Sequence, residues 1–152
     1  LATGLKRVDA FIVVGNADTH RLTFDEIEKP LLQATISINK EDWAVLKNKR
    51  LVAFAGLANP KKFFETLRLE NFDVQHSMPF PDHHFYTPED LKNLQQIAKE
   101  HCADLVTTQK DWVRLPKRLQ KSIHQLRIHL DYEERHLFKS LLDPFDKKPE
   151  AP

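Results

Sequence analysis

The sequence predicts an α/β fold in which a mostly parallel sheet carries helices on both faces, in three layers. Short apolar runs that suit buried strands recur along the chain, and residues 51–56 form the clearest one. Signals that start helices lie between these runs, so strands and helices alternate. The length of 152 residues suits one domain, or one domain with a small appendage.

The strand patterns differ along the chain. Residues 10–14 predict a buried parallel strand, whereas the alternation over residues 33–39 predicts a half-buried strand that is antiparallel or at an edge. Four further strands are predicted at residues 51–56, 73–78, 103–108 and 125–130. In the last one, Ile128 and Leu130 are expected to face inward.

Two helix starts are marked by a capping residue followed by proline. They are Asn59 before Pro60 and Thr87 before Pro88. The second helix carries an apolar stripe on which Cys102 is expected to be a buried, inert thiol.

The rest of the chain predicts connections and ends. Residues 40–50 are interpreted as a charged connection, and Asp131 as the cap of a last helix over residues 132–142. The expected organisation has three parts: a linker or remnant of a preceding lobe at 1–40, an α/β lobe at 41–143 and a flexible tail at 144–152.

Composition excludes several classes of protein. Lys plus Arg number 23 and Asp plus Glu 22, so the net charge of +1 argues against a strongly basic nucleic-acid binder. The sequence has only three glycines and contains neither Gly-x-x-x-x-Gly-Lys-Ser/Thr nor Gly-x-Gly-x-x-Gly, so no phosphate-binding glycine loop is expected in it. No apolar run approaches the roughly 20 residues of a membrane-spanning helix.

Candidate chemistry lies where predicted parallel strands end, because ligands of open α/β sheets bind at that edge. Asn59 precedes a helix N-terminus that could attract an anion, and Lys110 offers a cation for phosphate. His83 or His84 could titrate near neutral pH. Each also has an ordinary interpretation: a helix cap for Asn59, a surface ion pair of Lys110 with Asp111, and a loop element for the histidines.

Three functional interpretations stay open from these residues alone. Asp82, His83 and His84, with His76, could hold the metal of a phosphoesterase. A loop histidine could instead assist a proton transfer made by a carboxylate. A third possibility is a non-catalytic module whose basic residues Lys61, Lys62 and Lys110 meet a phosphate or an anionic lipid surface.

Three ordered motifs resemble a known family. Residues 53–60 read AFAGLANP and are followed by Phe63 and Phe64, residues 80–87 read FPDHHFYT, and residues 105–111 read LVTTQKD. Together they resemble the C-terminal half of the tetraacyldisaccharide 4'-kinases, which are lipid A 4'-kinases, over residues 5–132. Ala58 replaces a family glycine, which would cost about 1 kcal/mol if that position needs a positive φ. Gln109 replaces a family glutamate.

The resemblance implies a P-loop-type kinase whose nucleotide-binding half, with its magnesium ligands and a catalytic aspartate, lies upstream of these motifs. ATP and Mg²⁺ would serve the full-length enzyme, which would phosphorylate the 4'-hydroxyl of a lipid A disaccharide precursor. The enzyme would be peripheral, at the anionic cytoplasmic face of the inner membrane. The present chain alone is expected to be inactive and to bind no cofactor or metal.

The resemblance also assigns roles to residues. His83 would pair with the upstream aspartate, with Asp82 and His84 as further catalytic candidates. Asn59, Lys110 and Asp111 would contact substrate or phosphate. If the first strand belongs to the sheet of the preceding lobe, its apolar face would be exposed and could drive dimerisation.

Overall fold

The structure is a computed structural model that describes residues 7–15, 29–132 and 135–146. The chain divides into two compact units, residues 38–128 and residues 1–37 together with 129–152. The unit of residues 38–128 contains every predicted site residue.

The described elements are, in chain order, β1 (Phe11–Val14), β2 (Leu31–Ile38), α1 (Lys40–Leu46), β3 (Arg50–Ala55), α2 (Pro60–Leu69), β4 (Asp73–Pro79), α3 (Pro88–Glu100), β5 (Asp104–Thr108), α4 (Gln109–Trp112), α5 (Lys117–Gln120), β6 (Ile123–Leu126), β7 (Ile128–Tyr132) and α6 (Arg135–Asp146).

A four-stranded parallel sheet forms the centre of the unit 38–128. Its order is β4-β3-β5-β6, and each neighbouring pair is parallel. Alternate residues of β3 enter different cores: Ala53 packs in the cluster that contains Phe64 of α2, and Phe54 in the cluster that contains Leu94 of α3. Helices therefore cover both faces, which confirms the predicted α/β class and its three layers.

The predicted helix starts are confirmed. α3 begins at Pro88 after a capping box in which Thr87 and Asp90 bond each other's backbone N–H groups. α2 begins at Pro60, and Asn71 follows it in the left-handed conformation at φ 60°. No helix within the described parts of the chain is long and apolar enough to cross a membrane.

The other unit contains a three-stranded sheet with the order β1-β2-β7. β2 pairs parallel with β1 and lies between its two neighbours, so the prediction of an edge strand was wrong. The prediction of a buried first strand was also wrong, because Ile12 is 45% exposed and Val14 is 47% exposed. Apolar patterning identifies a strand but not what packs on each of its faces.

The predicted final strand over residues 125–130 is two strands in different sheets, β6 and β7. The break falls at Arg127, whose N–H donates to Asp42 Oδ2 at 2.8 Å instead of joining a strand ladder. Ile128 and Leu130 are exposed rather than inward-facing. Because β7 continues through Tyr132, the last helix begins at Arg135 and not at Tyr132.

Two further expectations were wrong. The predicted connection over residues 40–50 contains α1, which Asn39 caps by accepting hydrogen bonds from the N–H groups of Glu41 and Asp42. Cys102 is exposed, because α3 ends at Glu100 and the backbone of Cys102 turns into the left-handed region at φ 48°. α6 extends to Asp146, into the predicted tail, and residues 147–152 lie outside the described residues.

Candidate functional site

The loops that follow β3, β4 and β5 meet at the carboxyl edge of the four-stranded sheet. The carboxylate of Asp111 joins the ends of β3 and β5, since its Oδ2 accepts hydrogen bonds from Gly56 N–H at 3.0 Å and from Thr108 Oγ1 at 2.9 Å. The loop after β4 joins them because His83 N–H donates to the carbonyl oxygen of Gly56 at 3.2 Å. The parallel sheet thus brings together the three segments that the sequence placed at its edge.

Three of the predicted residues form an open polar group at this edge. Nε2 of His83 lies 3.8 Å from Oδ2 of Asp82, and Nζ of Lys110 lies 3.7 Å from Oδ1 of the same carboxylate. The side chain of His83 is 69% exposed. At these distances the ion pairs are weak, so the imidazole and the ammonium are available to an incoming group.

The backbone of His83 is held in an uncommon conformation. Its φ is 57°, in the left-handed region that only a few per cent of residues other than glycine adopt, with asparagine, aspartate and histidine the commonest among them. The N–H of His83 bonds Gly56, and its carbonyl oxygen accepts a hydrogen bond from Nη2 of Arg114. Both polar groups of this residue's backbone are therefore fixed.

The side chain of His84, unlike that of His83, is held by close contacts with its neighbours. Its Nε2 lies 2.9 Å from Oδ2 of Asp90, and its ring stacks on Phe80 with centroids 4.7 Å apart. The side chain is 23% exposed. The hydrogen bonds from His84 and then from Thr87 lower the pKa of Asp90, which keeps this capping carboxylate charged.

Asp111 lies beneath the open group and is fully buried. Its second oxygen, Oδ1, lies 3.5 Å from Nη1 of Arg114. Burial, and next the negative charge of Asp111, raises the pKa of Tyr86 well above its usual value, so this phenol stays protonated. A phosphate contact by Asp111 stays a prediction, and the structure gives its carboxylate other partners.

Gly56 lies where these side chains converge. A Cβ at this position would come within 3.2 Å of Asp111 Oδ1, of the Pro81 carbonyl oxygen and of the Tyr86 hydroxyl. The close approach leaves little room for any side chain.

The remaining predicted residues lie on the rim. Asn59 is exposed and precedes α2, but its side chain makes no capping hydrogen bond. Gln109 begins α4. Among the non-glycine residues that the structure describes, only Asn71, His83 and Cys102 have positive φ, so alanine at position 58 carries no such strain.

The geometry does not support the metal-dependent phosphoesterase. Across residues 7–15, 29–132 and 135–146, no three His, Cys, Asp or Glu side chains group closely enough to hold a metal ion. His84 bonds Asp90, and His76 stacks on His101 with centroids 5.9 Å apart.

Sequence reasoning missed Arg114. The only signal was its place three residues after Asp111, which predicts neighbouring side chains on one helical turn. Neither the burial of Asp111 nor the contact of Arg114 with the His83 carbonyl could be inferred from that spacing.

The chain matches the family described as tetraacyldisaccharide-1-P 4'-kinase over residues 1–145. A tetraacyldisaccharide 4'-kinase of Gluconobacter oxydans is 35% identical over 139 residues, covering 91% of this chain and 42% of that protein. One of Methylorubrum extorquens is 42% identical over 107 residues, covering 70% of this chain and 32% of that protein. This chain thus spans less than half the length of these curated relatives.

A solved structure has a similar fold. The crystal structure of LpxK from Aquifex aeolicus in complex with ATP aligns with a TM-score of 0.62 and 21% identity, covering 97% of this chain and 45% of that one. The family match extends over most of the chain and includes all three loops of the candidate site. This chain belongs to the tetraacyldisaccharide-1-P 4'-kinase family.

Proposed function

We propose that this chain forms the C-terminal part of an ATP-dependent kinase that phosphorylates the 4'-hydroxyl of a tetraacyldisaccharide 1-phosphate, with His83 at its reaction centre. The observation that carries the proposal is the exposed imidazole of His83, held at the carboxyl edge of the sheet beside Asp82 and Lys110. The family membership and the ATP in the similar solved structure support the reaction class.

The nucleotide machinery is assigned elsewhere in the full-length protein. This sequence has no P-loop pattern, and its described residues provide no cluster of acidic side chains for Mg²⁺. Asp82 lies between Lys110 and His83, and a neighbouring cation makes this carboxylate a poor metal ligand. Mg²⁺ and ATP would therefore be held by residues outside the matched part of the relatives.

His83 would assist the proton transfer by supporting the carboxylate that accepts the proton. In the proposed transfer, the 4'-oxygen bonds to the γ-phosphorus, the bond from that phosphorus to the leaving oxygen breaks, and the hydroxyl proton passes to a carboxylate outside this chain. His83 would hydrogen-bond that carboxylate, while Asp82 orients the imidazole. Lys110 and Asn59 would contact phosphate or sugar oxygens.

The test is the steady-state phosphorylation of the disaccharide substrate by the full-length protein. His83→Asn is the sharpest variant because asparagine tolerates a positive φ, so the loop keeps its backbone. We expect kcat to fall about 100-fold with little change in KM. His136→Ala removes an exposed histidine of α6 and serves as the matched control. An unchanged kcat in His83→Asn would contradict the proposal.

We also propose a peripheral position at an anionic membrane surface, where a tetraacylated substrate would reside. Phe85 is 82% exposed beside His83 and His84, and Lys61 and Lys62 are exposed at the start of α2. Exposed apolar and cationic side chains are what a lipid interface would contact. Replacing both lysines with glutamine should weaken salt-sensitive binding to vesicles that contain anionic lipid. Equal binding by the variant and the parent protein would contradict this position.

A further inference from the structure

The conformation of His83 needs a cause outside its own loop. A positive φ is uncommon for a histidine, and such a backbone conformation persists where the surrounding structure holds it. Two contacts hold this residue: its N–H bonds the Gly56 carbonyl, and its carbonyl accepts from Arg114 Nη2. Of these two contacts, only the one from Arg114 is made by a side chain, so it is the contact that a substitution can remove.

Arg114 is in turn placed by Asp111. Its Nη1 lies 3.5 Å from Asp111 Oδ1, and Asp111 is fully buried. A buried carboxylate needs a compensating charge, and Arg114 is the cation beside it. Because Oδ2 of Asp111 also accepts from Gly56 N–H and Thr108 Oγ1, the carboxylate is fixed to the ends of β3 and β5.

One residue closes the arrangement. Gly56 donates its N–H to Asp111 and accepts at its carbonyl oxygen from His83 N–H. The two sides of the His83 backbone are thus tied to the same buried carboxylate, one through Gly56 and the other through Arg114. The planar guanidinium can reach the carboxylate with one nitrogen and the His83 carbonyl with the other, which an ammonium group cannot do in the same geometry.

We propose that Asp111 and Arg114 form a positioning pair that holds the His83 backbone in its left-handed conformation and thereby aims the imidazole out of the sheet edge. The inference rests on the proposed function for the role of the imidazole. Neither residue of the pair needs to touch the substrate. Arg114 acts on the reaction through His83 alone.

The experiment is a double-mutant cycle on kcat in the full-length protein, with Arg114→Lys and His83→Asn. Arg114→Lys keeps the charge that faces Asp111 but loses the fork. We expect it to lower kcat about tenfold with KM nearly unchanged, since a misplaced group slows the chemical step. In the His83→Asn background the same change should have no further effect on kcat.

Two results would overturn the pair: an unchanged kcat in Arg114→Lys, or the same fold-loss in both backgrounds. If Arg114→Lys does not fold, Arg114→Gln, whose shorter side chain cannot contact the carboxylate and the His83 carbonyl together, replaces it in the cycle. A failure of the proposed function is distinguishable, because there His83→Asn alone would leave kcat unchanged.

The conformational part has a readout that does not depend on activity. The NMR cross-relaxation between the amide and Hα protons of one residue is strong when φ is positive. In the full-length protein we expect this signal of His83 to weaken in Arg114→Lys, while that of Asn71, which lies at φ 60° after α2, stays the same. An undiminished His83 signal would contradict the positioning role.

Discussion

The loop between β4 and α3 has two halves with opposite properties. In the open half, residues 82–83, the Asp82 carboxylate lies 3.8 Å from Nε2 of His83 and 3.7 Å from Nζ of Lys110 in α4, and His83 is 69% exposed. The packed half contains His84, which bonds Asp90 of α3 and stacks on Phe80. Adjacent histidines thus have different environments, and we propose that this difference, and not the residue type, separates a reactive group from a structural one.

The largest expected effect comes from the buried support beneath the open half. Asp111→Ala leaves Arg114 without its partner and removes the acceptor of Gly56 N–H. We expect a loss of about 3 kcal/mol in the free energy of unfolding. Urea unfolding measures it, and a loss below about 1 kcal/mol, the value of an exposed pair, would contradict the burial argument.

Gly56→Ala tests how tightly the segments that follow β3, β4 and β5 pack around Gly56. The added Cβ would approach Asp111, Pro81 and Tyr86 at 3.2 Å each. Such overpacking should destabilise the protein by about 1–3 kcal/mol. Gly15→Ala is a poor control, because Gly15 has φ 90° and alanine would be strained there. Ala53→Gly, a buried change within β3 itself, is the better control for loss of β3 stability. Unchanged stability in Gly56→Ala would show that the neighbours give way freely.

Asp90→Asn sharpens the assignment of the packed half. It weakens the capping box and the bond to His84, so we expect a loss of about 1 kcal/mol at pH 7. Because the pKa of Asp90 is lowered on folding, its stabilising effect is present above the unfolded value of about 3.9 and is lost as pH falls through the lowered value.

The difference in stability between the parent protein and Asp90→Asn should therefore shrink below about pH 4. Urea unfolding at several pH values measures this difference. A difference that stays constant down to pH 2 would contradict a charged capping carboxylate.

Lys110→Ala should have the smallest effect on stability. Its pair with Asp82 is exposed and long, so the free energy of unfolding should change by less than about 1 kcal/mol. Because the ammonium group of Lys110 is available to contact phosphate, its removal should raise KM for the disaccharide 1-phosphate substrate. Lys99→Ala, on the last turn of α3, is the matched control. An equal KM in both variants would contradict a phosphate contact by Lys110.

Local signals predicted the elements that position the site. Proline at the first helical position marked the starts of α2 and α3, and the apolar run of β3 identified a buried parallel strand, because these are effects of neighbouring residues. The parallel order then predicted that the loops after β3, β4 and β5 meet at one edge.

Other features depend on contacts between distant residues, and patterning could not reveal them. The bond of the Arg127 backbone to Asp42, 85 residues away, separates β6 from β7. The contact of Arg114 with the His83 carbonyl spans 31 residues. The left-handed turn at Cys102, which removes its thiol from the apolar stripe of α3, depends on where the helix ends and not on the stripe.

We propose that the open histidine, His83, serves the reaction and that the packed one, His84, serves the fold. The direct test measures kcat and the midpoint of thermal unfolding for His83→Asn and His84→Asn in the full-length protein. We expect His83→Asn to lower kcat about 100-fold at a nearly unchanged midpoint, whereas His84→Asn should lower the midpoint and keep most of kcat. A larger loss of kcat in His84→Asn than in His83→Asn would contradict it.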